Sequence, residues 1–156
     1  MTEYPINFRF IGDGIKKESL INLANSKNIS NITFEDPLTR NELIKEMLKA
    51  SVCLVPLIDN KLFRTAIPSK IFEIMACSKP VILGVKGDAE KIIKQNECGI
   101  VVTPDDQKDY KKAILKYYND RNLVKRHGEN SVNYVTENMQ KDLLLSTFLT
   151  ELKDKE

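Results

Sequence analysis

In the segment "PSKIFE", Ser69, Lys70 and Glu73 place a hydroxyl, an ammonium and a carboxylate within about one turn of a predicted helix. Their spacing puts Ser69 and Glu73 on one helix face with Lys70 at its border. Pro68 can open this helix, because its missing N–H falls among the donors left unpaired in the first turn. Those first-turn N–H groups favour an anion. A carboxylate one turn deeper can accept two hydrogen bonds from a diol such as a ribose. The set suits a nucleoside diphosphate, with phosphates at the helix start and the ribose at Glu73. The plain alternative is a solvated helix face with a Lys70–Glu73 ion pair worth about 0.2–0.5 kcal/mol.

A second candidate is "FIGDG", where a strand runs into Gly12, Asp13 and Gly14 ahead of a helical pattern. Glycines there let a backbone approach a ligand closely, and a tight turn would use the same residues. The dinucleotide fingerprint needs a third glycine, and position 17 is Lys17. In "GVKGDAEKII", Gly84 and Gly87 flank a strand end, and Asp88 is placed to cap the following helix. No Ser-His-Asp, Cys-His or close carboxylate pair can be read, so the catalytic residues are unassigned. Cys53, Cys77 and Cys98 form no CxxC pair and read as small structural side chains in a reducing compartment. With a single histidine, His127, no metal cage is expected. His127 stands beside Gly128 in the polar stretch "VKRHGENS" and is expected at a helix end or on the surface.

These residues need a scaffold, and the chain alternates short apolar runs with helical patterns. "INFRFIG" reads as a strand, and Ile15–Lys27 as a helix with Ile15, Leu20, Leu23 and Ala24 on its apolar side. "NITFED" is a second strand. "TRNELIKEMLKA" carries Thr39 and Glu42 at capping-box spacing. "SVCLVPL" is apolar on both faces, as expected at the centre of a parallel sheet. A loop over 58–67 precedes the Pro68 helix. It contains Lys61, Phe63, Arg64 and Thr65, residues suited to gripping phosphate and sugar. The strand "PVILGV", a helix over 88–95 and the strand "GIVVTP" follow, and the chain is helical and amphipathic from Asp106 onward. Such alternation implies a parallel, helix-covered sheet, whose ligands bind beyond the carboxyl ends of the strands.

The 156 residues suit one domain, with 42% hydrophobic and 29% charged residues. A net charge of +2 with interspersed signs argues against a nucleic-acid partner. No stretch approaches the roughly 18 apolar residues of a membrane span, and "MTEYPINFRF" does not read as a signal peptide.

"FRFIGDG", "NITFED", "LIKEMLKASVCLVPL", "IPSKIFEIMACSKPVILGVKGDAEKII" and "CGIVVTPDD" occur in a recognisable order and spacing. The chain resembles the C-terminal, donor-binding domain of GT-B glycosyltransferases, specifically family 4 (glycosyl transferases group 1). "PSKIFE" is similar to the bacterial capsule, O-antigen and exopolysaccharide enzymes. The resemblance implies an α/β fold, a Rossmann-like parallel sheet with helices on both faces. Residues 1–156 would be a single nucleotide-sugar-binding domain with 106–156 as its closing helices. It implies sugar transfer from a nucleotide-sugar to a glycan or lipid-linked acceptor, retaining in stereochemistry and without cofactor or metal. Glu73 corresponds to the second glutamate of the family's E-x7-E pattern, which binds ribose hydroxyls. Thr65 stands where the first glutamate is expected.

Carried over with Glu73, Ser69 and Lys70 would sit at the diphosphate with the loop backbone at Thr65, Ala66, Ile67 and Pro68. Gly12, Asp13 and Gly14 match the glycine loop near the donor, and Pro56 and Leu57 the strand end near the base. The family's preceding strand and helix, with their arginine and lysine, and its N-terminal acceptor domain have no counterpart in these residues. The expected partners are therefore a nucleotide-sugar, that N-terminal domain in cis or in trans, and a lipid-linked acceptor at the membrane surface. The expected location is cytoplasmic, peripheral to the inner membrane face through the full-length enzyme. The alternative reading is a stand-alone nucleotide-sugar-binding subunit that needs a separate acceptor-binding chain.

Overall fold

Every strand pairing among the described residues is parallel. A computed structural model describes residues 3–58, 64–65 and 67–139. The chain divides into two compact units, Met1–Glu46 and Met47–Glu156.

In the first unit, β1 (Phe8–Ile11) pairs with β2 (Ile32–Glu35), Phe8 opposite Ile32 and Ile11 opposite Glu35. Helix α1 (Lys17–Ser26) makes the crossover, and α2 (Arg40–Lys49) follows β2. The predicted capping box forms: the Glu42 N–H donates to Thr39 Oγ1 at 3.4 Å, and Glu42 Oε2 accepts from the Thr39 N–H at 2.9 Å. Phe10 and Phe34 stack with ring centroids 5.2 Å apart. The Arg9 guanidinium holds Glu35 in a two-pronged bond, Nε to Oε1 and Nη2 to Oε2, both at 2.7 Å, and also reaches Glu46. One expectation fails here. Of the apolar positions assigned to the α1 region, only Ala24 is buried; Leu20 and Leu23 are exposed, and Ile15 precedes the helix and is fully exposed. The helix starts two residues later than its apolar pattern, because the Lys17 N–H first closes a turn onto the Gly14 carbonyl at 2.9 Å.

In the second unit the sheet order is β3 (Cys53–Pro56), β4 (Val81–Gly84), β5 (Gly99–Val101). Helix α3 (Ser69–Ala76) links β3 to β4 and α4 (Asp88–Gln95) links β4 to β5. Helices α5 (Gln107–Asn119) and α6 (Arg121–Asn138) close the described chain. Asp106 and Asp120 cap them, with carboxylates accepting from Lys108 N at 2.8 Å and Leu123 N at 2.9 Å. The expected closing helices beyond 139 lie outside the described residues.

Strand β4 has no exposed face. Val81 and Leu83 pack with Ile71, Ile74, Met75, Ala89 and Ile93 of α3 and α4, while Ile82 turns to Ala113, Tyr117 and Leu123 of α5 and α6. This alternation puts helices on both faces, the arrangement of a Rossmann-like fold. The strand expected at the sheet centre, "SVCLVPL", is instead an edge among the described residues. β3 pairs only with β4, and Leu54 and Pro56 are exposed while Val55 is buried.

His127 corrects a third expectation. It lies within α6 at 6% exposure, its Nδ1 2.8 Å from the Tyr117 hydroxyl and the two rings edge to face. Gly128 follows inside the helix, where a Cβ would lie 2.5 Å from the Ser78 carbonyl oxygen. The glycine therefore serves close packing of α6 on the end of α3, and no helix end is needed to explain it.

Candidate functional site

The parallel sheet of the second unit gathers its strand ends on one edge. Pro56 pairs with Gly84, and the Leu57 N–H continues the ladder to the Gly84 carbonyl at 3.1 Å. β5 ends beside Leu83, at Val101. Helix α3, as the crossover between two parallel strands, begins at this same edge. Its apolar side chains Ile71, Ile74 and Met75 are buried in the core, which leaves Ser69, Lys70 and Glu73 on the exposed face. Glu73 therefore stands one turn into the helix and exposed, a placement that both the ribose-binding reading and the solvated-face reading share.

Pro68 differs in detail. It is the residue before the helix, extended at φ −63° and ψ 125°, and Ser69 is the first helical residue. Having no polar side chain, Pro68 cannot cap the first turn as a serine or aspartate would. The Ile71 N–H closes onto the Pro68 carbonyl at 3.0 Å. Thr65 and Ile67 are exposed just ahead of this start, and Ala66 lies outside the described residues, as do Lys61 and Phe63.

The turn after β4 supports the segment leading into α3. Gly87 adopts φ +103°, and a Cβ there would lie 1.9 Å from the carbonyl oxygen of Arg64. The Arg64 backbone thus rests directly on the β4–α4 turn. Gly87, and not Asp88, caps α4. Asp88 is the first helical residue, its carboxylate accepting from Lys91 Nζ at 2.8 Å, and Glu90 Oε2 reaches back to the Gly87 N–H at 3.2 Å. Lys94 and the Gly87 amide hold the Glu90 carboxyl below its ordinary value against the cost of burial. Beside this turn, a Cβ on Gly84 would meet the Tyr110 hydroxyl at 1.8 Å, so α5 covers the end of β4. Tyr110 was not singled out from the sequence; the signal available was an aromatic residue near the start of a lysine-rich helix, opposite a strand that ends in glycine.

In the first unit, Gly12 follows β1 at φ +131°, and its N–H donates to the Glu35 carbonyl at 3.2 Å. Asp13 Oδ1 accepts from the Gly14 N–H at 2.7 Å. Among the described residues, no non-neighbouring atom lies within 4 Å of a Cβ built on either glycine. The loop borders a depression of about 240 Å³ whose walls include Phe10, Lys16, Leu20 and Phe34. Lys17, at the place of the third fingerprint glycine, sends its ammonium to the Glu35 carbonyl at 2.9 Å and to Asp36 Oδ1 at 2.7 Å. It ties α1 to the end of β2, and it holds the Asp36 carboxyl below the usual range. The predicted residues therefore fall into two groups. Gly12, Asp13 and Gly14 belong to the first unit, and Pro56, Leu57, Thr65, Ile67, Pro68, Ser69, Lys70 and Glu73 to the second.

The cysteines behave as structural thiols. Cys98 is buried, Cys53 and Cys77 are half-buried, and all three are free. Burial pushes the Cys53 thiol up to about 11 and raises Cys77 and Cys98 as well, so all three stay protonated near neutrality.

Four similarities to known proteins bear on this arrangement. The family model described as glycosyl transferases group 1 matches residues 2–134. An uncharacterized glycosyltransferase of Methanocaldococcus jannaschii is 30% identical over 132 residues, covering 85% of this chain and 36% of that protein. The sucrose-phosphate synthase of Thermosynechococcus elongatus superposes with a TM-score of 0.80 at 21% identity, over 100% of this chain and 41% of its own. Anabaena HepE, solved in complex with UDP, superposes with a TM-score of 0.75 at 14% identity, over 98% of this chain and 43% of its own. The chain thus spans well under half the length of each of these proteins.

Proposed function

The chain belongs to the glycosyl transferases group 1 family, and from that premise we propose that it is the donor-binding half of a family 4 glycosyltransferase. The observation that carries this reading is α3. It begins at the strand-end edge and presents Ser69, Lys70 and Glu73 to solvent, while its opposite face is locked into the core. A nucleoside diphosphate fits this order of groups. The phosphates meet Lys70 and the first-turn N–H groups, and Glu73 accepts hydrogen bonds donated by the ribose hydroxyls. Catalysis would then be electrostatic: cations and backbone donors stabilise the charge that grows on the leaving diphosphate as the sugar–phosphate bond breaks. No metal is assigned a part in this scheme. The UDP bound by HepE supports a uridine nucleotide as the first donor to try.

The reading extends to a retaining transfer onto a glycan or lipid-linked acceptor in bacterial cell-surface polysaccharide synthesis, at the cytoplasmic side of the membrane. Among the described residues no helix is long and apolar enough to cross a membrane. Acceptor binding is assigned to an N-terminal domain, and residues 1–156 by themselves are expected to bind donor without transferring sugar. The test is calorimetric titration with UDP, GDP and their sugars. We expect one of them to bind, and Glu73→Ala to weaken it by at least about tenfold, the lower end of the scale of one lost hydrogen bond to a charged group, about 1.5 kcal/mol. Binding that survives Glu73→Ala unchanged removes Glu73 from the site, and sugar transfer by these residues alone overturns the division of labour.

A second reading, a nucleotide-sugar-binding subunit that works with a separate acceptor-binding chain, is favoured by the exposed apolar side chains Phe10, Leu20 and Leu23 of the first unit. Transfer restored by adding an acceptor domain as a separate polypeptide would support it. Transfer only when both parts share one polypeptide would exclude it.

A further inference from the structure

We infer that Gly87 is a positioning residue for the donor site, acting through the backbone at Arg64–Thr65. This rests on the donor-site reading above and adds a residue that touches no ligand. The dihedrals of Gly87, φ +103° and ψ −140°, lie in a region that residues with a Cβ essentially do not occupy. The space a Cβ would need is already filled by backbone. It would lie 1.9 Å from the oxygen, 2.7 Å from the carbonyl carbon and 2.8 Å from the Cα of Arg64. A side-chain tip could swing aside, as Tyr110 can beside Gly84, but a carbonyl cannot move without carrying its neighbours. Those neighbours are Thr65 and, three residues on, Pro68, which sets the start of α3.

The turn that carries Gly87 is itself pinned. The Gly87 N–H donates to Glu90 Oε2 at 3.2 Å, the Lys91 N–H donates to the Gly87 carbonyl at 3.1 Å, and Lys94 Nζ holds the other Glu90 oxygen at 2.7 Å. Helix α4, anchored in the core through Ala89 and Ile93, thus fixes a side-chain-free turn against which the Arg64 backbone is set. Any side chain at position 87 lifts Arg64–Thr65 away from the strand-end edge. The groups in front of the diphosphate then spread, while the core beneath is left in place.

The experiment measures UDP and GDP affinity together with amide hydrogen exchange in Gly87→Ala, Glu90→Ala and the control Gly128→Ala. The control meets a backbone carbonyl as well, that of Ser78, but away from the strand-end edge. We expect Gly87→Ala to weaken nucleotide binding by about tenfold, one step of 1.4 kcal/mol, and to speed exchange at Thr65 by a larger factor than at Ile92 and Ile93, whose exchange follows global stability. Glu90→Ala, which introduces no clash, should shift both readouts in the same direction by a smaller factor, and it serves alone if Gly87→Ala fails to fold. Gly128→Ala should lower the melting temperature and leave the affinity unchanged. Wild-type affinity in folded Gly87→Ala or in Glu90→Ala overturns the inference. So does a loss of affinity in Gly128→Ala equal to that in Gly87→Ala, which would mark a general loosening. Wild-type protein that binds neither UDP nor GDP overturns instead the donor-site reading on which the inference rests.

Discussion

Two strand–glycine–helix turns in this molecule look alike in sequence and do opposite jobs. After β1, Gly12 stands at φ +131° with, among the described residues, no non-neighbouring atom within 4 Å of the place a Cβ would take. After β4, Gly87 stands at φ +103° with the Arg64 carbonyl in that place. In both, the backbone conformation calls for glycine. Among the described residues, the second glycine also makes room for another part of the protein, while the first meets none. Glycine ahead of a helix is thus compatible with two physical causes, close approach by something outside the chain or close packing within it, and only the surroundings distinguish them.

Substitutions separate the two causes, and the largest effect is expected at position 87. Gly87→Ala combines a strained dihedral, about 1–3 kcal/mol, with a backbone collision, so urea unfolding should show the greatest loss of stability in the series. Gly12→Ala carries the dihedral strain without the collision and should lose about 1–3 kcal/mol from that source alone. Equal losses at 12 and 87 would mean that the Arg64 carbonyl yields freely and that the contrast between the turns is only apparent. Gly84→Ala provides an intermediate case. Its obstacle is the Tyr110 ring tip at 1.8 Å, so overpacking of about 1–2 kcal/mol is expected. Most of that cost should vanish in a Tyr110→Ala background.

Much of the scaffold was legible in the residues because local chemistry settled it. Thr39 and Glu42 announced a capping box that forms, and "PVILGV" announced a strand buried on both sides. α3 was readable because Ile71, Ile74 and Met75 leave Glu73 no place but the exposed face. The failures came where tertiary partners decide. "SVCLVPL" has the composition of a central strand, yet strand order depends on pairing partners that composition does not name. His127 in a polar stretch reads as exposed, but its burial depends on Tyr117, ten positions earlier and one helix away. The role of Gly87 was hidden for the same reason, since Arg64 lies 23 positions upstream.

The two units should also part company as pH falls. Burial and the nearby Arg126 and Lys116 push His127 below 6.5, against the opposing pull of Glu97 and Asp120. A base whose folded value is depressed binds more protons when unfolded, so its contribution is full above 6.5 and is lost as pH drops below it. The slope cannot exceed about 1.4 kcal/mol per pH unit for one group. In the first unit, Arg9 and Lys17 hold Glu35 and Asp36 below their ordinary values of 4.5 and 3.8. Those exposed contributions are present above these values and fade only in stronger acid. Hydrogen exchange followed from pH 7 to 5 should therefore show α5 and α6 losing protection while β1 and β2 keep theirs. His127→Gln should flatten the change. Simultaneous loss in both units would show that they open as one.

The smallest stability effect is expected at Gly14, and it gives the sharpest test of the first turn. Gly14 has no positive φ, and a Cβ there meets nothing within 4 Å among the described residues. The Asp13 carboxylate still accepts from the residue-14 N–H at 2.7 Å whatever the side chain, because the bond is to the backbone. Gly14→Ala should therefore change unfolding free energy by less than about 0.5 kcal/mol. If the open space is where a donor nucleotide approaches the backbone, the added methyl occupies part of it, and affinity for UDP or GDP should fall severalfold with stability unchanged. A variant neutral in both readouts would make the loop an ordinary tight turn.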